Sequence, residues 1–107
     1  MASQESTVDY ILEQIEAAGS VSARKMFGEY GVYCDGKIVA LVCDDQFYLK
    51  PTPAGRALLG EVDEQPAYPG AKPSFRIDGT RWDDADWMSE LVRVTAAALP
   101  MPKGKGK

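Results

Sequence analysis

The side chains that could perform chemistry in this sequence are few, because its 107 residues include no histidine. A Ser-His-Asp triad, a histidine general base and a histidine-ligated metal are therefore excluded. Cys34 and Cys43 lack the Cys-X-X-Cys spacing that lowers a thiol pKa, and they are too few for a zinc site. We predict no catalytic residue, no metal and no cofactor. A small-molecule enzyme that uses only lysine, acidic, serine or tyrosine side chains is the weakest of the functions left open.

An acidic cluster near the end of the chain, Asp83, Asp84 and Asp86, offers the hard oxygen ligands that magnesium and calcium prefer. The cluster lacks the spaced ligands and the distal glutamate of a calcium-binding loop. Carboxylates at the start of a helix also interact favourably with the positive end of the helix dipole. We therefore interpret the cluster as the beginning of a helix.

Two sets of side chains suggest an interaction surface. Basic residues could form a patch near one end of a sheet, and aromatic residues could form a platform on which bases stack. The same residue types also occur as ordinary surface charges and core side chains, an alternative that stays open. The predicted interaction residues are Arg24, Lys25, Tyr30, Tyr33, Tyr48, Lys50 and Arg56, with Trp82 as a further aromatic candidate.

Charge is unevenly distributed along the chain. Residues 1–102 hold nine basic and sixteen acidic side chains, a net charge of −7, whereas residues 103–107 hold three lysines separated by glycines. An acidic body does not attract a phosphate backbone, so nucleic-acid binding is only the alternative function. The Lys-Gly segment has nothing to bury, and we predict a disordered tail after a single domain over residues 1–102.

The first element that would position these residues is a helix over residues 7–18. Ser6 or Thr7 can cap its start, and Gly19 can end it. Its apolar stripe follows the helical period through Val8, Ile11, Leu12 and Ile15.

Residues 24–50 are predicted to form a three-stranded antiparallel meander. The Asp35-Gly36 turn supplies the positive φ angles of a tight hairpin and places Cys34 opposite Lys37. Cys43 then lies too far along the next strand for a disulfide, so both thiols should be free. Gly28 and Gly31 are followed by further strand rather than by a helix, which favours a structural bulge over a phosphate-binding loop.

The second half of the chain predicts helix, strand, strand and helix. Thr52 can cap a short helix that has Pro53 at its first position and runs to Leu59. Residues 67–68 are predicted as an edge strand, residues 73–77 as a better strand, and the last helix begins at Asp83 or Asp84. The fold class is α+β: two layers, an antiparallel sheet with helices mainly on one face, in the order α-β-β-β-α-β-β-α.

The predicted sheet has one face without enough helix to cover it. The strand from Ile38 to Val42 is apolar on both faces, and the segment 61–70 or a second copy of the chain must cover the free face. We favour a homodimer. The predicted core consists of Ile11, Leu12, Ile15, Phe27, Leu41, Leu49, Phe75, Trp87 and Leu91.

Four short motifs follow one another in a characteristic order: Met26-Phe27-Gly28, Gly31-Val32-Tyr33, Asp35-Gly36-Lys37 and Tyr48-Leu49-Lys50. In this series the chain resembles the N-terminal domain of the TfoX (Sxy) family over roughly residues 8–99. The resemblance implies the same antiparallel α+β fold and no enzyme activity. It also implies a regulatory role, since TfoX members pair this domain with a C-terminal helical domain and act as co-activators of bacterial competence genes with the cyclic-AMP receptor protein. We expect the present chain to hold only the first of these two domains.

The sequence therefore predicts a non-enzymatic regulatory domain that binds a protein, with a component of the transcription machinery as the suspected partner. The alternative is a nucleic-acid-binding module that uses the basic and aromatic residues. No signal peptide or membrane segment is recognisable, and free thiols are typical of a cytoplasmic protein.

Overall fold

A computed structural model describes residues 3–26 and 29–100 of the chain, including the backbone but not the side chain of Met26. Three helices and six strands form an α+β fold, as predicted. The helices are α1 (Glu5–Ile15), α2 (Pro53–Leu59) and α3 (Ala85–Ala98), and the strands are β1 (Val21–Met26), β2 (Glu29–Cys34), β3 (Lys37–Cys43), β4 (Gln46–Leu49), β5 (Asp63–Pro66) and β6 (Pro73–Ile77). All strands are antiparallel to their neighbours, in the order β1-β2-β3-β4-β6-β5.

The helices pack on one face of the sheet, with α3 in contact with both α1 and α2. Their apolar stripes meet the inward side chains of the strands, and the core between the two layers includes Ile11, Val32, Phe47, Phe75 and Leu91. Within the described ranges no helix has the length and apolarity needed to cross a bilayer.

Near the N-terminal end of the sheet, the structure has one strand more than the sequence predicted. The segment that we expected to be one strand with a bulge is two strands, β1 and β2, and Met26 pairs with Glu29 across the connection. This reversal places Ala23 opposite Val32, so both side chains face the core. Phe27 and Gly28 lie outside the described residues, as do the predicted bulge at Gly28 and the predicted burial of Phe27.

A bulge does occur, in β3. Val32 pairs with Ala40 whereas Tyr33 pairs with Ile38, so Val39 is an extra residue in the ladder. Val39 and Ala40 are both buried against the helices, and strict alternation resumes with Leu41 facing away from them. The apolar run from Ile38 to Val42 therefore results from the bulge, which turns two consecutive residues towards the helices. It does not indicate a strand that is covered on both faces.

The helix ends agree with the sequence at two of three starts. Thr52 and Asp84 cap α2 and α3 by accepting hydrogen bonds from the amides of Gly55 and Trp87, at 3.0 and 3.1 Å. α1 instead begins at Glu5, because Ser3 and Gln4 are held by Glu29 and the β3–β4 turn. It ends in a 3-10 turn over Glu16–Ala18.

The stop after this turn requires a glycine. Gly19 has φ 151°, and a Cβ there would lie 2.8 Å from a carboxylate oxygen of Asp35. At the other edge of the sheet, the strand lies at residues 63–66 instead of the predicted 67–68, because Asp63 and Glu64 pair with Arg76 and Phe75 of β6.

The predicted core is confirmed at five positions and is only partly buried at three. Ile11, Ile15, Leu49, Phe75 and Leu91 are buried. Leu12 and Trp87 pack at the edge of the core, and Leu41 lies on the opposite face of the sheet. The predicted hairpin register is correct, since Cys34 pairs with Lys37, and both buried cysteines are free.

Candidate functional site

The face of the sheet turned away from the helices, which we call the outer face, carries an unusual number of apolar and aromatic side chains. Alternation along the strands puts Ile38, Leu41 and Tyr48 on this face, and cross-strand pairing places Leu41 directly beside Tyr48. Ile38 and Leu41 are half-buried although no described helix lies over them. The outer face is therefore the apolar surface that the sequence predicted to need a cover.

A groove of about 590 Å³ lies on this face. Leu41 forms part of its floor, and Tyr68 from the β5–β6 connection stands at its side with half of its surface exposed. The segment 61–70 therefore reaches the groove through Tyr68, while its first part joins the sheet as β5. The groove is lined by Glu29, Tyr30, Ile38, Leu41, Cys43, Tyr48, Lys50, Tyr68 and Ser74.

The two ends of the groove differ in charge. Lys50 lies at the end near Tyr68 and Ser74; its side chain is exposed and forms no ion pair with any described residue. Glu29 lies at the other end, next to Cys43. The groove thus has an apolar centre, a cation at one end and a carboxylate at the other.

Glu29 is held in place by main-chain donors. Its two carboxylate oxygens accept hydrogen bonds from the amides of Ser3 and Asp44, at 2.9 and 3.0 Å. Burial raises the pKa of this carboxyl, but hydrogen bonds from the Ser3 hydroxyl, the Asp44 amide and the Ser3 amide outweigh burial, and the pKa lies below its ordinary value. Glu29 is therefore ionised at neutral pH, and its role is to connect the N-terminal residues to the β3–β4 turn.

The Cys43 thiol and the Tyr48 hydroxyl, both in the groove, have pKa values raised above their ordinary values. Burial raises the pKa of the Cys43 thiol, and the nearby carboxylates of Glu29 and Asp44 raise it further. Burial also raises the pKa of the Tyr48 hydroxyl. Because a protonated thiol and a protonated phenol are weak nucleophiles at neutral pH, these two groups are unsuited to covalent catalysis.

The structure distributes the predicted interaction residues over both faces of the sheet. Arg24 and Tyr33 lie on the outer face, with the guanidinium carbon 5.6 Å from the ring centroid, together with Tyr48 and Lys50. Tyr48 is 8% exposed, which leaves little of its ring free for stacking.

The remaining candidates lie elsewhere. Lys25 pairs with Tyr30, and Tyr30 pairs with the core residue Val42, so this register row belongs to the helix side, although Tyr30 also borders the groove. Arg56 belongs to α2, forms an ion pair with Glu64 and lies over the ring of Phe75.

Trp82 and the acidic cluster are involved in local structure. The Trp82 indole donates a hydrogen bond to the Ile77 carbonyl at 3.0 Å and packs against the core. Asp84 caps α3, and Asp83 accepts a hydrogen bond from the Tyr10 hydroxyl. Across residues 3–26 and 29–100, no three acidic or cysteine side chains are grouped so that they could hold a metal ion.

The side chains that form the centre of the groove were not among the predicted interaction residues. Ile38 and Leu41 have purely apolar side chains, Cys43 was considered only as a thiol, and Tyr68 was considered only as part of an edge strand. For the residues of β3 the sequence signal was the excess of apolar residues in that strand, which predicted an uncovered face without identifying the side chains on it; Tyr68 lies outside β3 and had no such signal.

Comparisons with known proteins agree with this fold and with the resemblance in the sequence. The model of the TfoX N-terminal domain family matches residues 13–99. The chain is also 40% identical over 103 residues to an uncharacterized 12.7 kDa protein in the trpE 5′ region of Spirochaeta aurantia, an alignment that covers 96% of this chain and 89% of the relative. The family model covers all six strands, α2 and α3, together with the end of α1, and the chain therefore belongs to the TfoX N-terminal domain family.

Proposed function

We propose that this protein is a non-enzymatic regulatory domain that binds a protein partner through the groove on its outer face. The observation that carries the proposal is the set of half-buried apolar side chains around Leu41, on the one face of the sheet that no described helix covers. Exposed apolar patches on soluble domains mark interaction sites more often than they serve no purpose.

The chemistry of the groove supports binding rather than catalysis. The Cys43 thiol and the Tyr48 hydroxyl have raised pKa values, and the Glu29 carboxylate is engaged by two amides. An active site usually holds at least one group whose pKa is moved towards neutral pH, and none of these three is moved in that direction to act as an acid or a base.

Membership of the TfoX family supports a regulatory role, since the family resemblance implies a transcriptional co-activator. The free thiols of Cys34 and Cys43 support a cytoplasmic location. A component of the transcription machinery is accordingly the partner class to examine first.

Site-specific photo-crosslinking in the native host tests the proposal. A photoreactive phenylalanine analogue replaces Tyr68, beside the groove, or Tyr10, an exposed tyrosine on α1 that serves as the matched control. We expect a discrete protein adduct from position 68 and none of that mass from position 10. The adduct should disappear when Leu41→Ser is added, because this change removes the apolar floor.

The proposal is wrong if position 68 yields no protein adduct, if both positions give the same adducts, or if the adduct persists in the Leu41→Ser background. Nucleic-acid adducts at position 68 would instead support the alternative function. Thermal unfolding of each variant verifies that the fold is retained.

A further inference from the structure

We infer that the segment recognised by the groove is an extended peptide with apolar side chains along its length and an acidic group at the end that lies over Lys50. This inference rests on the proposed function and specifies the chemistry of the partner.

The apolar part of the recognition follows from the floor and wall of the groove. The groove crosses β2, β3, β4 and β6, and Leu41, Ile38 and Tyr68 give it apolar surface. Its volume of about 590 Å³ accommodates a few side chains rather than a whole domain. Tyr68 lies on an irregular connection and is half exposed, so its ring can cover an apolar side chain bound beside it.

The acidic end follows from the charges around the groove. Lys50 is an exposed cation with no ion pair among the described residues, whereas Arg76, its neighbour on the outer face, is already paired with Asp63 at 2.9 Å. Arg24 adds a second cation to this face, stacked on Tyr33. An acidic group over Lys50 therefore meets an uncompensated positive charge.

The opposite end of the groove excludes a second acidic group. Glu29 is ionised there, and Asp44 follows directly after Cys43. The net charge of −7 on residues 1–102 repels anions, but screening at physiological salt limits this repulsion to roughly 8 Å. An acidic group in contact with the groove therefore interacts mainly with Lys50.

Two other occupants match the groove less well. In an isologous dimer the outer face of one copy meets the same face of the other, and the groove carboxylate available to the cations Arg24 and Lys50 would be Glu29, whose two oxygens already accept hydrogen bonds from main-chain amides. A nucleic-acid strand would meet these two cations on an otherwise acidic protein, which is a weak anchor for a phosphate backbone.

Titration of the full chain with synthetic peptides tests the inference, with amide chemical shifts and fluorescence anisotropy as readouts. The probe is an alternating leucine, phenylalanine and serine peptide that ends in glutamates, and the matched probe ends in lysines. We expect the glutamate peptide to bind more tightly and to shift the amides of Leu41, Lys50 and Ser74. Lys50→Glu should weaken it roughly five- to tenfold, and Lys25→Glu, the same charge change on the other side of the sheet, should leave binding within about twofold.

The inference fails if neither peptide binds, if the lysine peptide binds as well or better, if Lys25→Glu has the same effect as Lys50→Glu, or if the shifted amides lie on the helices. Saturable binding of oligothymidylate at about 0.15 M salt that is tighter than peptide binding would also overturn it. A crosslinked partner whose contact segment is neutral or basic would contradict this inference while leaving the proposed function intact.

Discussion

Glu29 shows how one side chain can hold together parts of the molecule that are distant in sequence. Its carboxylate binds the amides of Ser3 and Asp44, while the Ser3 hydroxyl accepts a hydrogen bond from the Asp45 amide. Asp44 and Asp45 both have positive φ angles, which non-glycine residues adopt only when the surroundings stabilise them. The carboxylate therefore supports the turn at one end of the groove.

The lowered pKa of Glu29 makes its contribution to stability dependent on pH. Its ordinary value is 4.5, and the folded protein lowers it, so the ionised carboxylate stabilises the fold above pH 4.5 and loses this effect as the pH falls through the lower folded value. Glu29→Gln should lower the free energy of unfolding by about 1 kcal/mol at pH 7. Urea titrations from pH 7 to pH 3 should show the difference from wild type shrinking. A difference that is constant with pH would contradict this assignment.

Leu41 and Leu91 are the same residue in two different environments. Leu91 is fully buried between the layers, whereas Leu41 is half-buried on the outer face. Leu91→Ala should cost about 2–5 kcal/mol, the usual range for emptying a core site, and Leu41→Ala less than about 1 kcal/mol. Chemical denaturation measures both. A loss below about 0.5 kcal/mol for Leu91→Ala would mean that α3 is not docked as described.

At the level of elements, the three helices begin in two different ways. α2 and α3 have side-chain caps, while α1 follows directly after residues that are bound to the β3–β4 turn. Among the strands, β3 contains a bulge at Val39, and this extra residue decides which side chains of β3 face the helices. The outer face exists in its present form because of this single extra residue.

The two kinds of helix start lead to a prediction about caps. Thr52→Ala removes the acceptor for the Gly55 amide in a buried position and should lower stability by about 1–2 kcal/mol. Ser6→Ala, at one of the two positions predicted as the cap of α1, should change stability by less than about 0.5 kcal/mol because Ser6 lies inside the first turn. Thermal unfolding of both variants measures the contrast. Equal losses would show that Ser6 also stabilises a helix start.

On the scale of the whole molecule, the balance of charge differs between the two faces of the sheet. The helix layer and the loops carry most of the acidic residues, while Arg24 and Lys50, which form no ion pair with any described residue, lie on the outer face. This distribution of charge bears on self-association. The homodimer that the sequence favoured stays a prediction, and the groove now proposed for a peptide would be closed by it.

Sedimentation equilibrium at micromolar concentration distinguishes the two cases. If the outer face is reserved for a partner segment, the mass should remain 11.6 kDa across the concentration range. A dimer mass that reverts to monomer in Leu41→Asp but not in Arg93→Asp, a control on α3, would restore the homodimer and place it on this face.

Much of this protein could be predicted from its sequence because the signals are local. The period of the apolar residues in α1 and α3, the Asp35-Gly36 turn and the Thr52 cap depend on neighbours within a few positions, and each was confirmed. The family was recognisable for the same reason, since its motifs are short runs of residues. The excess of apolar residues in β3 also indicated that one face of the sheet would lack a cover.

The site itself was decided by the tertiary structure. Whether a strand residue faces the helices or the outer face depends on pairing register, and a shift of one position reverses the answer. The break between β1 and β2 and the bulge at Val39 each made such a shift, so that Lys25 lies on the helix side of the sheet and Lys50 on the outer face, while Arg56 lies on α2. Tyr68 lines the groove together with Tyr48 and Leu41, which are 20 and 27 positions away in the chain, and no local sequence pattern predicts a proximity of that kind.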